Sequence, residues 1–168
     1  MKRLILFLPL LLAACDHGIE PKPEQFSGFS GEVTFINEWP DSIKRTHIVI
    51  FKNPLLVESD FVLDNLRFIS QEISFGVSTY EFSSLDQAII PASPGAFEPG
   101  DYAYVSVAHQ STETISLVRK DWYVSGIYYA NGDTTKPGIL TVPADRMIEN
   151  INIICDFDNP PPQPPGGK

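Results

Sequence analysis

Histidines are the side chains of this sequence with the widest chemistry, because a neutral imidazole can bind a metal or accept a proton near neutral pH. His17 lies near the N-terminus, while His47 and His109 stand singly in runs of alternating apolar residues. The sequence has no His-x-His, no His-x-x-Glu-His and no closely spaced pair of cysteines, the spacings that surround zinc. We therefore predict no metal site and no cofactor, and interpret His47 and His109 as partly buried packing or hydrogen-bonding residues.

Calcium is the other metal to consider, because Asp156, Asp158 and Asn159 offer clustered oxygen ligands. An EF-hand loop beginning at Asp156 would need glycine at position 161 and glutamate at position 167, and the chain has Pro161 and Gly167 there. That loop is excluded. A looser site, shared with one further acidic residue, stays open beside the simpler interpretation of a strand end in solvent; the candidates are Asp60, Asp64 and Asp133.

Covalent catalysis has no local signature in the chain. There is no Gly-x-Ser-x-Gly turn to present a serine nucleophile, and no Gly-Lys-Ser loop to hold phosphates. Cys155 has neither histidine nor asparagine beside it in a recognisable nucleophile motif. We predict that the protein is not an enzyme.

Aromatic residues are the most suggestive feature, and five of them form the candidate binding set: Trp39, Trp122, Tyr123, Tyr128 and Tyr129. In residues 121–129, alternation places Trp122 and Tyr128 on one face and Tyr123 and Tyr129 on the other. One face of a two-layered sheet protein meets water, so some of these rings should be exposed. Exposed rings with polar neighbours suit a glycan or a protein partner, whereas core packing and cross-strand pairing explain buried ones.

Period-two alternation of Val, Ile, Tyr, Phe and Thr is the pattern that must position these residues, and it is typical of strands. Only Glu58–Leu66 has helical spacing. We predict an all-β fold, an antiparallel β-sandwich of seven to eight strands with at most one short helical turn. The predicted strands cover residues 31–37, 46–52, 67–77, 80–82, 101–110, 121–129, 138–142 and 149–158.

Charge excludes one class of partner. The 168 residues carry 12 basic and 21 acidic side chains, a net charge of −9. Without the first 14 residues, which hold Lys2 and Arg3, ten basic residues face 21 acidic ones, giving −11. Such a surface repels phosphate backbones, so we predict no nucleic-acid partner.

The N-terminus has the organisation of a secretory signal: a cationic Met-Lys-Arg, then a nine-residue apolar run over 4–12, then small residues. Nine helical residues span roughly 14 Å, less than half of a ~30 Å hydrocarbon core. Leu12-Ala13-Ala14-Cys15 resembles the lipobox of bacterial lipoproteins. The resemblance implies cleavage before Cys15 and acylation of that residue, which would hold the protein on a lipid bilayer. The alternative is an ordinary signal peptide that leaves Cys15 unmodified in the mature chain.

Cys155 is the second of the two cysteines. If Cys15 is lipidated, no disulfide remains for the mature domain. Cys155 shares a face with Ile151, Ile153 and Phe157 by alternation, so we predict that it packs in the core as a small apolar residue.

A second resemblance concerns the domain itself. Ser30-Gly31-Glu32-Val33-Thr34-Phe35 resembles the opening strand of carboxypeptidase regulatory-like, transthyretin-like domains, and Pro99-Gly100-Asp101-Tyr102 is similar to a strand that they enter through a tight turn. Thr141-Val142-Pro143 followed by Asn150-Ile151-Asn152-Ile153 resembles their closing pair of strands. The resemblance implies a β-sandwich fold and does not by itself imply a catalytic activity, because a function has to be argued from a site. It spans about residues 28 to 158, with an insertion over 53–66.

These observations predict four segments: a signal peptide over 1–14, a flexible tether over 15–27, the β-sandwich over 28–158 and a disordered proline-rich tail over 159–168. The predicted function is that of a non-catalytic lipoprotein, anchored to a membrane of the bacterial cell envelope, that acts as a structural or protein-interaction module. The alternative is a carbohydrate-binding module that uses the exposed aromatics of residues 121–129.

Overall fold

The computed structural model describes residues 26–95 and 97–167, and strands and loops make up nearly all of this part of the chain. The prediction of a mostly β fold is confirmed. The signal peptide, Cys15 and all but the last two residues of the tether, predicted above, lie outside the described residues. The strands are β1 (Gly28–Ile36), β2 (Arg45–Phe51), β3 (Leu66–Ser70), β4 (Thr79–Ser83), β5 (Ala88–Ile90), β6 (Gly100–Tyr102), β7 (Tyr104–Gln110), β8 (Trp122–Ile127), β9 (Leu140–Val142), β10 (Met147–Ile148) and β11 (Ile153–Asp156).

Helical structure is confined to three-residue turns of 3₁₀ helix, at Glu58–Asp60, Arg119–Asp121 and Ala130–Gly132. The first falls in the segment with helical spacing. The expectation of at most one such turn is wrong, because a single turn buries too little to leave an apolar period in the sequence. No helix in 26–95 or 97–167 has the length and apolar character needed to cross a bilayer.

The larger sheet has five antiparallel strands in the order β5-β3-β2-β7-β8. β2 is buried on both faces, as expected of a strand inside a sheet, and it lies between β3 and β7. Every residue of β7 is buried. β2 and β7 therefore form the buried base that positions β8 at the edge of the sheet.

The sheet around β1 is mixed, so the expectation of antiparallel strands throughout is wrong here. β4 pairs antiparallel with β1, while β10 and β11 both pair with it in parallel. The chain crosses from β10 to β11 at Ile151, whose N–H donates to the carbonyl of Ser30 at 3.0 Å. A Cβ on Gly31 would lie 2.2 Å from the carbonyl oxygen of Ile151. Only glycine allows this close approach of the two backbones.

The main core contains residues of both of these sheets. Phe29 and Val33 of β1 and Ile153 of β11 are fully buried with Ile48 of β2 and Val107 of β7. Cys155 is also fully buried in this cluster, so the prediction of a core thiol is confirmed. Ile151 and Ile153, predicted to share a face with Cys155, are buried in the same cluster.

A second apolar cluster covers the other face of the five-stranded sheet. It contains Val49 and Phe51 of β2, with Trp122 and Val124 of β8. Leu55, from the 53–66 insertion, packs there as well. The insertion thus shields a sheet face that would otherwise meet water, which explains why β2 is apolar on both sides.

Residues 159–167, which we call the proline-rich segment, lie against β8. The side chain of Arg119 donates to the carbonyls of Pro164 at 2.7 Å and of Pro165 at 3.2 Å. Gln163 exchanges two hydrogen bonds with the backbone of Val124. Its prolines, which donate no backbone hydrogen bond, predicted a disordered tail. The segment is instead held through its carbonyls and one glutamine.

A β-bulge changes the faces of β8. His109 lies opposite Tyr123, Ala108 opposite Val124 and Val107 opposite Gly126, which leaves Ser125 as an extra residue. An extra residue shifts the alternation beyond it by one position. Trp122, Val124, Ile127 and Tyr129 therefore all contribute to the second cluster. The prediction that Trp122 shares a face with Tyr128 is wrong for this reason.

Candidate binding groove

A groove of about 270 Å³ lies where the ends of β7 and β8 meet the loop after β1 and the chain after β11. We call it the aromatic groove. Polar residues surround its apolar walls, including Lys120 and Asp121 in the turn before β8. The residues that define it are Pro40, Ile43, His109, Gln110, Trp122, Tyr123 and Phe157.

Tyr123 is the exposed ring of the groove. It is 40% exposed and is the second residue of β8, where it pairs with His109 of β7. Partial burial raises the pKa of its phenol, so the hydroxyl stays protonated and can donate a hydrogen bond at neutral pH. A flat ring with a donor at its tip suits contact with either a protein or a sugar.

Trp122 contributes mainly to stability, since only 4% of it is exposed. Its indole Nε1 donates to the carbonyl of Ser116 at 2.6 Å, and its ring lies 6.2 Å from that of His47. The side chain of Gln110 donates to the same carbonyl at 2.8 Å. Together, Trp122 and Gln110 fix the loop that carries Ser111 and Ser116 beside the groove.

Trp39 supports the groove from behind. Its half-buried ring packs against Phe35 at 4.5 Å, Phe157 at 5.1 Å and His109 at 5.8 Å, measured between ring centres. Its indole Nε1 donates to the carbonyl of Val77 at 3.0 Å. These contacts hold Phe157 in position as one wall.

The remaining two predicted binding residues lie elsewhere. Tyr128 is half-buried against the main core, and its N–H donates to the carbonyl of Val105 at 2.9 Å. Tyr129 packs on the second cluster and lines a different groove, with Tyr104 and Ile127. The five aromatics therefore divide among sites: Trp122 and Tyr123 line the aromatic groove, and Trp39 adjoins it.

His109 forms the polar base of the groove and belongs to a buried chain of hydrogen bonds. Its Nδ1 lies 2.7 Å from Thr46 Oγ1, and its Nε2 lies 2.6 Å from Ser125 Oγ. Burial, followed by the charge of His47, lowers the pKa of His109 to about 3. The ring is therefore neutral at physiological pH, with one nitrogen donating and the other accepting.

The thiol of Cys155 lies at the end of this chain, beside Ser125. Burial raises the pKa of Cys155 to about 12, and the nearby hydroxyl of Ser125 lowers it only in part. A protonated thiol is a poor nucleophile, and Ser125 is only 1% exposed. The arrangement resembles a relay in composition, but it supplies neither an accessible nucleophile nor a base with affinity for a proton at neutral pH. It fixes the packing of β2, β7, β8 and β11.

Asp156, the last residue of β11, has a structural role. Both carboxylate oxygens of Asp156 accept hydrogen bonds, from the N–H of Asp158 at 3.0 Å and from the side chains of Asn159 at 3.0 Å and Asn37 at 2.7 Å. The bond from Asn159 is the main cause that lowers the pKa of Asp156. Asp156 thus closes the turn that leads into the proline-rich segment. The described residues contain no group of three or more His, Cys, Asp or Glu side chains placed to hold a metal.

Sequence reasoning missed Gln110, Arg119 and Gln163, which together organise the surroundings of β8. Gln110 could have been predicted as a buried polar residue, because it is the last residue of a strand that is buried throughout. Arg119 and Gln163 carry no such signal, because the contacts that join the proline-rich segment to β8 are with backbone atoms 39 to 46 residues away along the chain.

We compared the chain with family models, curated proteins and solved structures. None of the three comparisons gives a match. A function has to follow from the residues of the domain and from the N-terminal motif.

Proposed function

We propose that this chain is a non-catalytic lipoprotein, anchored to a membrane of the bacterial cell envelope through acylated Cys15, whose β domain binds a partner protein at the aromatic groove. Two independent features support the proposal. The first is the sequence Leu12-Ala13-Ala14-Cys15, which lies outside the described residues. The second is the groove itself.

The observation that carries the binding role is the exposure of Tyr123 at the mouth of a groove with apolar walls. Tyrosine is enriched among residues that dominate binding energy at protein interfaces. The walls around it are fixed by Trp39 and Trp122 from within, so the groove is largely preformed. A preformed surface loses little conformational freedom on binding.

The non-catalytic part of the proposal rests on the nearest reactive groups. His109 is neutral and engaged by two hydroxyls, and the thiol of Cys155 is protonated and buried. Neither can act on a molecule in the groove without the domain opening.

For the fold, we propose a β-sandwich of the transthyretin-like or immunoglobulin-like type. The shared main core, with Phe29 and Val33 from one sheet and Ile48 and Val107 from the other, supports two packed layers. The parallel pairing of β1 with β10 and β11 is a departure from an all-antiparallel sandwich.

A carbohydrate-binding role is the second candidate, favoured by the ring of Tyr123 beside Lys120, Asp121 and Ser111. A glycan platform on β8 would use two rings on one face. The bulge at Ser125 places Tyr129 with the second cluster, so Tyr123 has no second ring of that strand beside it. The protein partner is therefore the better supported of the two.

The anchor is tested by Cys15→Ser in cells. We expect the wild-type protein to enter the detergent phase on partitioning and the variant to remain in the aqueous phase. A variant that still enters the detergent phase would contradict lipidation.

The binding role is tested by a photo-crosslinking amino acid placed at position 123 in the full chain. We expect a discrete protein adduct in the envelope fraction, and none when the same amino acid replaces Ile154, which is 63% exposed on β11. Equal adducts at both positions would show non-specific proximity. Retention of the chain by a polysaccharide gel, lost in Tyr123→Ala, would assign the groove to a glycan instead.

A further inference from the structure

At the outer edge of β8, a side chain satisfies the backbone hydrogen-bonding groups of Val124. β8 is the last strand of the five-stranded sheet. The N–H of Val124 donates to Gln163 Oε1 at 2.8 Å, and Gln163 Nε2 donates back to the carbonyl of Val124 at 2.7 Å. The amide of Gln163 thus takes the place that a peptide unit of a neighbouring strand would occupy.

Arg119 binds the carbonyls that follow Gln163. Its Nη2 donates to Pro164 at 2.7 Å and its Nε to Pro165 at 3.2 Å, while Nη1 donates to the carbonyl of Trp122 at 2.6 Å. The guanidinium lies 5.7 Å from the ring centre of Phe61 and is buried. A fixed fork of donors matches a proline-rich chain, because such a chain has free carbonyls and few N–H groups to compete.

Apolar side chains receive the prolines. Pro164 is buried against Phe51, Leu55 and Trp122. Aromatic-lined grooves are the usual receptors of proline-rich segments, since the extended chain is stiff before binding and loses little entropy.

The proline-rich segment leaves much of this surface unfilled. A groove of about 440 Å³ remains beside Pro162 and Pro165, lined by Tyr129 and by two apolar residues that are mostly exposed, Leu56 at 74% and Ile139 at 59%. The surface can therefore take a longer or bulkier chain than the one that lies on it.

We propose that this surface is a recognition site for an extended, proline-rich segment of a partner protein, containing the sequence Gln-Pro-Pro, and that residues 159–167 occupy it in cis. The chemistry that would recognise the partner is the chemistry that holds residues 163–165. The site shares Trp122 with the aromatic groove, but Tyr123 lines only the aromatic groove and Arg119 lines only this surface. A partner must displace the cis segment, whose attachment gives it a high effective concentration.

The test uses the full chain carrying Cys15→Ser and a fluorescent peptide with the sequence of residues 159–167. Gln163→Ala loosens the cis segment without changing the surface. We therefore expect the peptide to bind this variant at least fivefold more tightly than the chain that carries Cys15→Ser alone. Gln71→Ala, at an exposed glutamine of another loop, is the matched control and should change nothing. Tyr123→Ala should also leave peptide binding unchanged, which separates this site from the aromatic groove.

Two further arms test the chemistry. A peptide with alanine in place of its glutamine should lose most of the affinity for the Gln163→Ala chain. Adding Arg119→Lys to that chain should weaken binding of the original peptide, because lysine cannot engage two carbonyls in a fixed fork. Hydrogen exchange at the amide of Val124 reports release of the cis segment, and thermal melting reports folding.

Failure of the peptide to bind a folded Gln163→Ala chain with a released segment would overturn the proposal. So would equal binding of the glutamine and alanine peptides, which needs no Arg119 variant to interpret. A dimer of the unsubstituted chain that disappears in Gln163→Ala would assign the surface to a second copy and overturn the assignment to a different partner.

Discussion

Gly126 of β8 lies against Cys155 of β11, so that a Cβ at position 126 would be 2.6 Å from the sulfur. The same Cβ would be 2.8 Å from the carbonyl oxygen of Ile154. The two strands belong to different sheets, and the missing side chain lets their backbones approach at this point.

Gly126→Ala should therefore destabilise the domain. Overpacking of this kind costs about 1–3 kcal/mol in the free energy of unfolding, measured by urea denaturation. In the double variant with Cys155→Ala, removal of the sulfur should relieve part of the clash. The double variant should therefore lose less stability than the sum of the losses in the two single variants. Full additivity would show that the strands do not meet at these residues.

The thiol of Cys155 should be inert in the folded protein. Burial raises its pKa to about 12, so raising the pH from 7 to 9 should leave it protonated and unlabelled. In the Cys15→Ser chain it is the only cysteine, and a maleimide should react with it only after denaturant is added. Rapid labelling without denaturant would contradict a buried thiol. Cys155→Ala should cost of order 1 kcal/mol of stability.

Stability should fall as the pH drops below 6.5, because His109 has a lowered pKa in the folded state. The unfolded chain binds a proton at its ordinary pKa of 6.5, whereas the folded chain does not until about pH 3. Each pH unit in this window lowers the free energy of unfolding by up to about 1.4 kcal/mol for this residue.

Urea denaturation at pH 7.5 and at pH 5 tests this, since the carboxylates change little above pH 5. His47, whose pKa burial also lowers, contributes in the same direction. His109→Asn should reduce the pH dependence and leave the part due to His47. An unchanged pH dependence in His109→Asn would show that His109 is charged or exposed.

Trp122 and Tyr123 are adjacent and should behave oppositely on truncation. Trp122→Ala removes a buried ring and a hydrogen bond and should cost about 3–5 kcal/mol. Tyr123→Ala should lower the melting temperature only slightly, while weakening the non-covalent binding of the partner that crosslinking identifies by more than about 1 kcal/mol. A large loss of stability at Tyr123 would make it a core residue and remove the main support for the groove.

The sequence predicts β2 and β7 well because strand-forming residues run through them without interruption, and it predicts the core thiol because the last strand alternates. The pattern of Thr46–Lys52 already indicates a strand covered on both faces. The bulge at Ser125 has no such signal: serine fits the alternation, and the extra residue becomes visible only when β8 is paired with β7. The partition of the five aromatics between sites could not be predicted for the same reason.

The proline-rich segment shows a second limit of sequence reasoning. Proline content predicts an extended chain with no strand pairing, and this part is correct. What holds the segment in place is Arg119, 45 residues before Pro164, and one glutamine amide. Contacts between a side chain and distant backbone carbonyls leave no period or motif in the sequence.

The parallel pairing of β1 with β11 has a consequence for the order of folding. Val33 pairs with Ile153, at nearly opposite ends of the domain. Contacts between residues so far apart form late, because a long loop must close before they contribute. During export or synthesis, β1 therefore stays without its parallel neighbour until β11 has emerged. For a lipoprotein that crosses a membrane before it folds, a sheet of this kind would be an advantage, because the pairing of β1 with β11 cannot form before the C-terminal strand arrives.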